Sequence, residues 1–344
     1  MTPADNQAFD VCVLGSFMKD LVAQAPRRPG TGETLRGLGF YEALGGKGLN
    51  QAVAAARSGA RVAMVGRLGA DRYGEEFLLM LAQEGIDASH VRRDEARGTG
   101  VGLPVVEPSG ANSIIIVPRA NDAVTVADVE AAAGVIRSSR ILLVQLELPV
   151  DAVVAALRLA RAAGVVTVLN PAPYAELPGE IAELVDVLVP NEVEAEQLTG
   201  LSCRGDAALG VAMKLRGAYA GAGVVVTLGG RGVIVADRED PAGGGRWRIN
   251  ALNAYDVDVV DTVGAGDAFC GALAARLAGG DGLLTAAEFA VAAGALAVTR
   301  HGAAPAMPDR AEITGLLYGP GGAWSSRHPA ALASAPEAAT ASGA

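Results

Sequence analysis

The stretch DTVGAGDAFCG, residues 261–271, sets two carboxylates and three glycines within eleven residues and then runs into an apolar, alanine-rich segment. Gly264 and Gly266 permit a sharp turn with main-chain N–H groups facing outward, and DAFCGALAARLAGG continues with helical spacing, so a strand expected to end at Asp261 feeds a helix N-terminus. Unpaired N–H groups and the positive end of the helix dipole favour a phosphate there, and glycine lets it approach with no Cβ in the way. Asp267 is out of place on those terms, because a carboxylate repels a phosphate. Two readings stay open from the residues alone. Asp267 caps the helix and the glycines only make the turn, or it is a base that accepts the proton of a hydroxyl as that hydroxyl attacks a terminal phosphoryl group. In the second case positioning and anion stabilisation carry the catalysis, since a loose phosphoryl-transfer transition state leaves little covalent chemistry to the protein.

Other nucleotide signatures are missing. GGKG has Tyr41 where a P-loop needs its first glycine and Gly48 after the lysine, and no G-x-G-x-x-G occurs. The three histidines, His90, His301 and His328, have neither metal-ligand nor triad spacing. Three singly placed cysteines, Cys12, Cys203 and Cys270, read as buried thiols rather than a disulfide framework or zinc site. A formal net charge of −10 with 4% aromatic residues argues against a nucleic-acid groove. The longest apolar runs, such as FAVAAGALAV, are about half the ~20 residues of a membrane span. The start, MTPADNQAFDVCVLG, lacks the features of a signal peptide, so the expected setting is cytoplasmic, with no membrane partner.

The elements that must hold these residues alternate. Short β-branched runs (DVCVLG, RVAMVGRLG, ILLVQLE, VVTVLNP, VDVLVPN, GVVVTLGG, GVIVAD) are separated by segments of helical period (GLNQAVAAARSG, YGEEFLLMLAQEG, DAVVAALRLARAAG, EVEAEQLTG). This is the pattern of an α/β fold, a doubly wound, mainly parallel sheet flanked by helices. Residues 18–44, rich in Pro and Gly, and the hairpin-like 98–118 break the rhythm and together predict a small separate β-sheet. A further hairpin with a glycine-rich tip is expected over 237–250, and residues 319–344 have too little to bury and are expected to be a disordered tail. Ligands in such sheets sit beyond the carboxyl ends of the strands, and there Asp20, Glu147, Asn170, Asn191, Glu194, Thr227 and Asp261 fall. Singly each suits a cap or turn; collectively they suggest one polar cleft.

In two ordered signatures, GGKGLNQAVAAARSGARVAMVGRLGADRYGEEF at 45–77 and DTVGAGDAFCGALAARL at 261–277, the chain resembles the ribokinase-like (PfkB) carbohydrate kinases, and among them the ribokinases. GTGETL, QLELP, LNPAP, PNEVEAEQLTG, TLGGRG and AVTRHGA support the likeness, which runs from about residue 10 to 316. The resemblance implies a kinase domain over 10–318 after a tail of residues 1–9, with lid segments 18–44 and 98–118 that pair between subunits as a homodimer. It implies ATP-dependent phosphorylation of D-ribose at the 5-hydroxyl. The alternatives are another small-sugar kinase, for a ketohexose or sugar acid, or a catalytically silent sugar-binding sensor on the same fold.

By the same resemblance, Asp267 is the base and Gly264, Ala265 and Gly266 form the anion hole. Asp20, Gly46, Lys47, Gly48, Asn50 and Glu147 hold the sugar, whose hydroxyls suit polar partners of this kind. Asn191, Thr227, Gly229, Gly230 and Gly232 line the nucleotide cleft, and Glu194 with Asn191 orients the phosphates and water-coordinated Mg²⁺; as bare residues the two also have capping-box spacing. K⁺ is expected beside the anion hole at Asp261, Val263, Ala297, Arg300 and Gly302. Three positions depart from common patterns of the family. Met18 stands where some members have Asn, Arg119 replaces a small glycine in VPRAN, and Ala306 replaces a serine that would add a cation ligand. Arg119 either reaches the sugar pocket or points outward to an acid.

Overall fold

The computed structural model describes residues 8–109, 112–205, 207–219, 221–238 and 247–319. The expected disordered tail, apart from Gly319, and the tip of the 237–250 hairpin lie outside the described residues.

The β-branched runs form a nine-stranded sheet from β1 (Phe9–Leu14), β4 (Val62–Gly69), β5 (Asp87–Asp94), β8 (Ser139–Val144), β9 (Val166–Leu169), β10 (Val187–Leu188), β11 (Gly223–Thr227), β12 (Val233–Arg238) and β13 (Trp247–Leu252), in the order β13-β12-β11-β10-β9-β8-β1-β4-β5. All neighbours pair in parallel from β11 to β5, and β12 and β13 add an antiparallel edge. Alternation along β1 shows why both faces are covered. Val11 and Val13 enter one core with α1 (Lys47–Arg57), α9 (Ala265–Ala278) and α10 (Leu283–Ala297); Cys12 and Leu14 enter the other with α3 (Val126–Ala131), α4 (Ala133–Arg137), α5 (Val150–Ala162) and α8 (Ala207–Ala218). All three cysteines are buried and free, and burial lifts the Cys12 thiol to about 12.

The two irregular segments supply a second sheet, ordered β3-β2-β6-β7, of β2 (Met18–Gln24), β3 (Gly39–Gly45), β6 (Gly100–Val106) and β7 (Asn112–Val117). Its buried Lys19 ties it to α2 (Arg72–Gln83), with Nζ 2.6 Å from Glu76 and 3.0 Å from Glu42 of β3. The outer edge is apolar: Ile114, Ile115, Ile116 and Val117 are all exposed, Ile115 by 67%.

One local expectation fails and one strand goes unread. No strand ends at Asp261; after β13 the chain runs unpaired from 253 to 261, although DVDVV alternates. The N–H groups of Val260 and Asp261 instead donate to the Val298 carbonyl, at 2.8 and 3.1 Å, which ties the segment to the end of α10 rather than to a sheet edge. The edge strand β5, DASHVRRD, is charged enough to have escaped the hydrophobic pattern. No helix among the described residues is long and apolar enough to cross a membrane.

Candidate active site

The turn before α9 is built as the glycines require. Gly264 is its N-cap, in the left-handed region at φ 78°, and a Cβ there would meet Ala303 at 3.0 Å. The first main-chain helical bond of α9 runs from Ala268 N to Gly264 O, so the N–H groups of Gly266 and Asp267 precede the ladder and have no acceptor within it. Gly266 is exposed, and a Cβ added to it would meet nothing within 4 Å. Asp267 sits in the first turn, only 7% exposed, and does not cap the helix by its side chain. Its Oδ2 accepts from Asn50 Nδ2 and its Oδ1 from Gln51 Nε2, both at 2.9 Å.

Those amides come from α1, whose N-cap is Gly46 at φ 97°. Gly48 in its first turn packs against the backbone of Gly15 and Ser16, so close that a side chain there would collide. This lays α1 over the carboxyl end of β1. Glu147, just beyond β8, accepts from Lys47 N at 2.9 Å and from the Ser16 hydroxyl. Burial alone would push the Lys47 ammonium down, but the charges of Asp267, Glu147 and Glu194 reverse this and hold its pKa above the ordinary lysine value. Asp20 lies on β2 between Gly45 and Gly102, where a Cβ at either glycine would press on its carboxylate. Desolvation first, and the charge of Glu147 second, raise Asp20 from 3.8 to about 6. Asp20, Lys47, Asn50, Glu147 and Asp267 are therefore one cluster, drawn from α1, α9, the loop after β8 and the lid strand β2.

The nucleotide-side residues lie beyond β10 and β11. Asn191 forms a parallel bridge with Thr227 and caps α7 (Glu192–Thr199). The capping box is present: Glu194 N donates to Asn191 Oδ1 at 2.9 Å and Asn191 N to Glu194 Oε2 at 2.8 Å. Glu194 is only 6% exposed, and burial raises its pKa against the opposing pull of Asn191 and Lys47. Each carboxylate oxygen is engaged by Asn191, so what remains suits a metal-bound water better than a bare ion. Gly229 and Gly230 border open space, whereas Gly232 lies hard against the backbone of Leu252 and Asn253.

The expected cation residues are also brought together. Asp261 Oδ1 accepts from Val263 N and Oδ2 from Gly302 N, each at 3.0 Å, which closes the loop after α10 onto the turn that carries Gly264. Arg300 turns its guanidinium to Glu312, leaving only its main chain toward the loop, and Ala297 O accepts from Arg300 N at 3.3 Å. Asp261 brings a single carboxylate, a hard oxygen ligand of low charge, which suits a monovalent cation; no group of three or more His, Cys, Asp or Glu among the described residues could hold a metal.

Arg119 has φ 51°, in the left-handed region, which explains why a glycine suits that position. Its Nη1 donates to Thr99 O at 2.9 Å and lies 4.0 Å from Asp71 Oδ2, so its partners belong to the junction of lid and core and not to the Asp20–Asp267 cluster. Several polar residues of the site escaped the sequence reading. Asn121, fully buried, brackets Phe17 by accepting from its N–H and donating to its carbonyl, which fixes the bend into β2. Ser16, Gln51 and Gln145 were missed as well; the adjacent pair Asn50–Gln51 inside an otherwise apolar helix was the available signal.

Comparisons with known proteins agree with this fold. The profile of the pfkB family carbohydrate kinases matches residues 8–310. The chain is 38% identical over 308 residues to the ribokinase of Haemophilus influenzae, covering 89% of this chain and 97% of that one. It is 36% identical over 316 residues to the ribokinase of Schizosaccharomyces pombe, with coverage of 89% and 97%. In three dimensions it superposes on Arabidopsis thaliana ribokinase complexed with ribose and ATP with a TM-score of 0.80, at 30% identity, over 90% of this chain and 99% of that one. With its glycine turn, its buried carboxylate and its β-sheet lid over a doubly wound sheet, the chain belongs to the pfkB family of carbohydrate kinases.

Proposed function

We propose that this protein transfers the terminal phosphoryl group of ATP to the 5-hydroxyl of D-ribose, giving ribose 5-phosphate and ADP, through a catalytic domain over residues 10–318 with lid segments 18–44 and 98–118. The observation that carries the reading is Asp267, held by two buried amides one residue past a glycine with open space above it. The sugar oxygen forms its bond to the γ-phosphorus as the bond to ADP breaks, and its proton passes to Asp267. In the turn Gly264–Ala265–Gly266, at the positive end of α9, the Gly266 N–H has no helical acceptor and the Ala265 N–H makes only a 3.4 Å bond to Thr262 O, so these groups can stabilise the charge on the transferring group. Lys47, surrounded by carboxylates it offsets, presents a cation to the same anion. Asp20, Asn50 and Glu147 orient the sugar, and Asn191, Thr227, Gly229, Gly230 and Gly232 border the nucleotide.

Mg²⁺ travelling with ATP would be held through its waters by Asn191 and Glu194 and would neutralise phosphate charge. K⁺ would be held by Asp261 and the carbonyls of Val263, Ala297, Arg300 and Gly302, stiffening the turn at Gly264. The exposed apolar strand β7 supports a homodimer formed through the lids; Ile115→Lys should yield monomers by sedimentation, and an unchanged oligomer would refute that. Three free buried thiols support a cytoplasmic setting.

Coupled ADP release across ribose, 2-deoxyribose, ketohexoses, sugar acids and nucleosides tests the reading. Ribose should give the highest kcat/KM, and Asp267→Asn should lower kcat by roughly 10²–10⁴ while fold and nucleotide binding persist. Turnover near wild type in that variant would reduce Asp267 to a structural group. No ADP release with any sugar would leave a silent sensor.

A further inference from the structure

We propose that Gln51 is a positioning residue for Asp267, locked in the amide orientation that donates to the base by a chain of side-chain amides ending on a main-chain carbonyl. The inference rests on Asp267 being the base. The chain can be read from its fixed end. Val189 O can only accept, so Asn170 must turn its Nδ2 toward it, at 2.8 Å, and this aims Asn170 Oδ1 at Gln51. That oxygen also can only accept, so Gln51 presents Nε2, at 3.1 Å. The second hydrogen of the same Nε2 goes to Asp267 Oδ1 at 2.9 Å. Gln51 Oε1 is left to accept from Gln145 Nε2 at 2.6 Å.

A flipped Gln51 would set its carbonyl oxygen against two acceptors, Asn170 Oδ1 and Asp267 Oδ1, and its amide nitrogen against the donor of Gln145. Burial removes any water that could repair the mismatch: Gln51 is 0% exposed, Gln145 1% and Asn170 8%. The backbone therefore dictates the orientation of each amide in turn, and the assignment does not depend on how any one amide is drawn.

The two donors on Asp267 differ in kind. Asn50, 5% exposed, is expected to meet the sugar, so its bond to Oδ2 competes with ligand. Gln51 is wholly buried and reaches no ligand; what it can do is hold Oδ1 and so fix the plane in which the other oxygen meets the attacking hydroxyl. Close approach of α1 and α9 makes this possible, since Gly271 lies so near the Gln51 carbonyl that any side chain there would collide.

The test is a double-mutant cycle with the full-length protein, using Gln51→Met, of similar length but without donors, and Asp267→Asn. Gln51→Met should lower kcat by about 10–100-fold with KM for ribose and ATP within roughly 2-fold of wild type. On the Asp267→Asn background the same change should add almost nothing, because a residue that acts through the base has nothing left to position. Full kcat in Gln51→Met, a loss falling on KM, or losses that multiply in the double variant would each overturn the proposal. If Gln51→Met does not fold, Gln145→Met keeps Gln51 and removes the partner of its carbonyl; it should lower kcat about 3–10-fold at constant KM, and an unchanged kcat would refute the chain. Asp267→Asn at near wild-type turnover would remove the base and this inference together, whereas an inactive Asp267→Asn beside a fully active Gln51→Met would remove the inference alone.

Discussion

Gly266 separates what the fold requires from what the chemistry requires. It is the second residue of α9, has no positive φ, and an added Cβ meets no atom within 4 Å, whereas the same atom at Gly264 would meet Ala303 and strain the left-handed backbone. For the protein alone, a side chain at 266 is an improvement. Helix propensity favours Ala over Gly by up to ~1 kcal/mol in a helix interior and Val by less, so an unliganded melting temperature should hold or rise by about 1–2 °C. For the reaction it is an obstruction, because the space above Gly266 is where the phosphoryl oxygens must approach the N–H groups. Loss of one such donor costs on the order of 10²-fold in kcat, close to 3 kcal/mol. Gly266→Val should therefore show stability and activity moving in opposite directions, read by thermal melts without ligand and by coupled ADP release with ribose. A variant that melts no lower and turns over normally would refute the anion-site geometry, and one that melts several degrees lower would refute the open space.

Asp20 provides a pH test. Its folded-state value of about 6 lies above the ordinary 3.8, so the stability it contributes is complete below about pH 4 and lost as pH rises through 6. Asp20→Asn should thus stabilise the unliganded protein at pH 7.5, by at most roughly 3 kcal/mol, leave it unchanged near pH 4, and raise KM for ribose; melts showing no gain at pH 7.5 would refute the raised value. Arg119→Gly should leave the ratio of ribose to hexose turnover unchanged, since its guanidinium is committed to Thr99 O and Asp71, and a shifted ratio would bring Arg119 back to the sugar. K⁺ should activate, and Ala306→Ser should bind it more tightly; equal turnover in K⁺-free buffer with tetramethylammonium as counterion would sink the cation site.

What was legible in the sequence was what short range determines. The glycine turn at 264–266, the cap of α7 and the alternation of strands with helices all depend on residues a few positions apart, and each stands where expected. The lid was legible over 98–118 as a hairpin and over 18–44 only as an interruption of that alternation. Asp261 shows the limit of pattern. DVDVVD alternates like a strand, but alternation prepares only a segment's faces, and pairing needs a free edge, while these N–H groups found the Val298 carbonyl instead. The support of Asp267 lies further from reach. Its donors stand 216 and 217 positions away, and Asn170 stands 119 from Gln51, so no local spacing announces them. They meet only because α1 and α9 touch across Gly271 and because β9 and β10 run in register, Leu169 beside Leu188, which sets Asn170 against Val189 O. The base is thus named by its own motif but aimed by the packing of two helices and two strands, and a substitution in that packing could spoil catalysis while every residue of the motif stays in place.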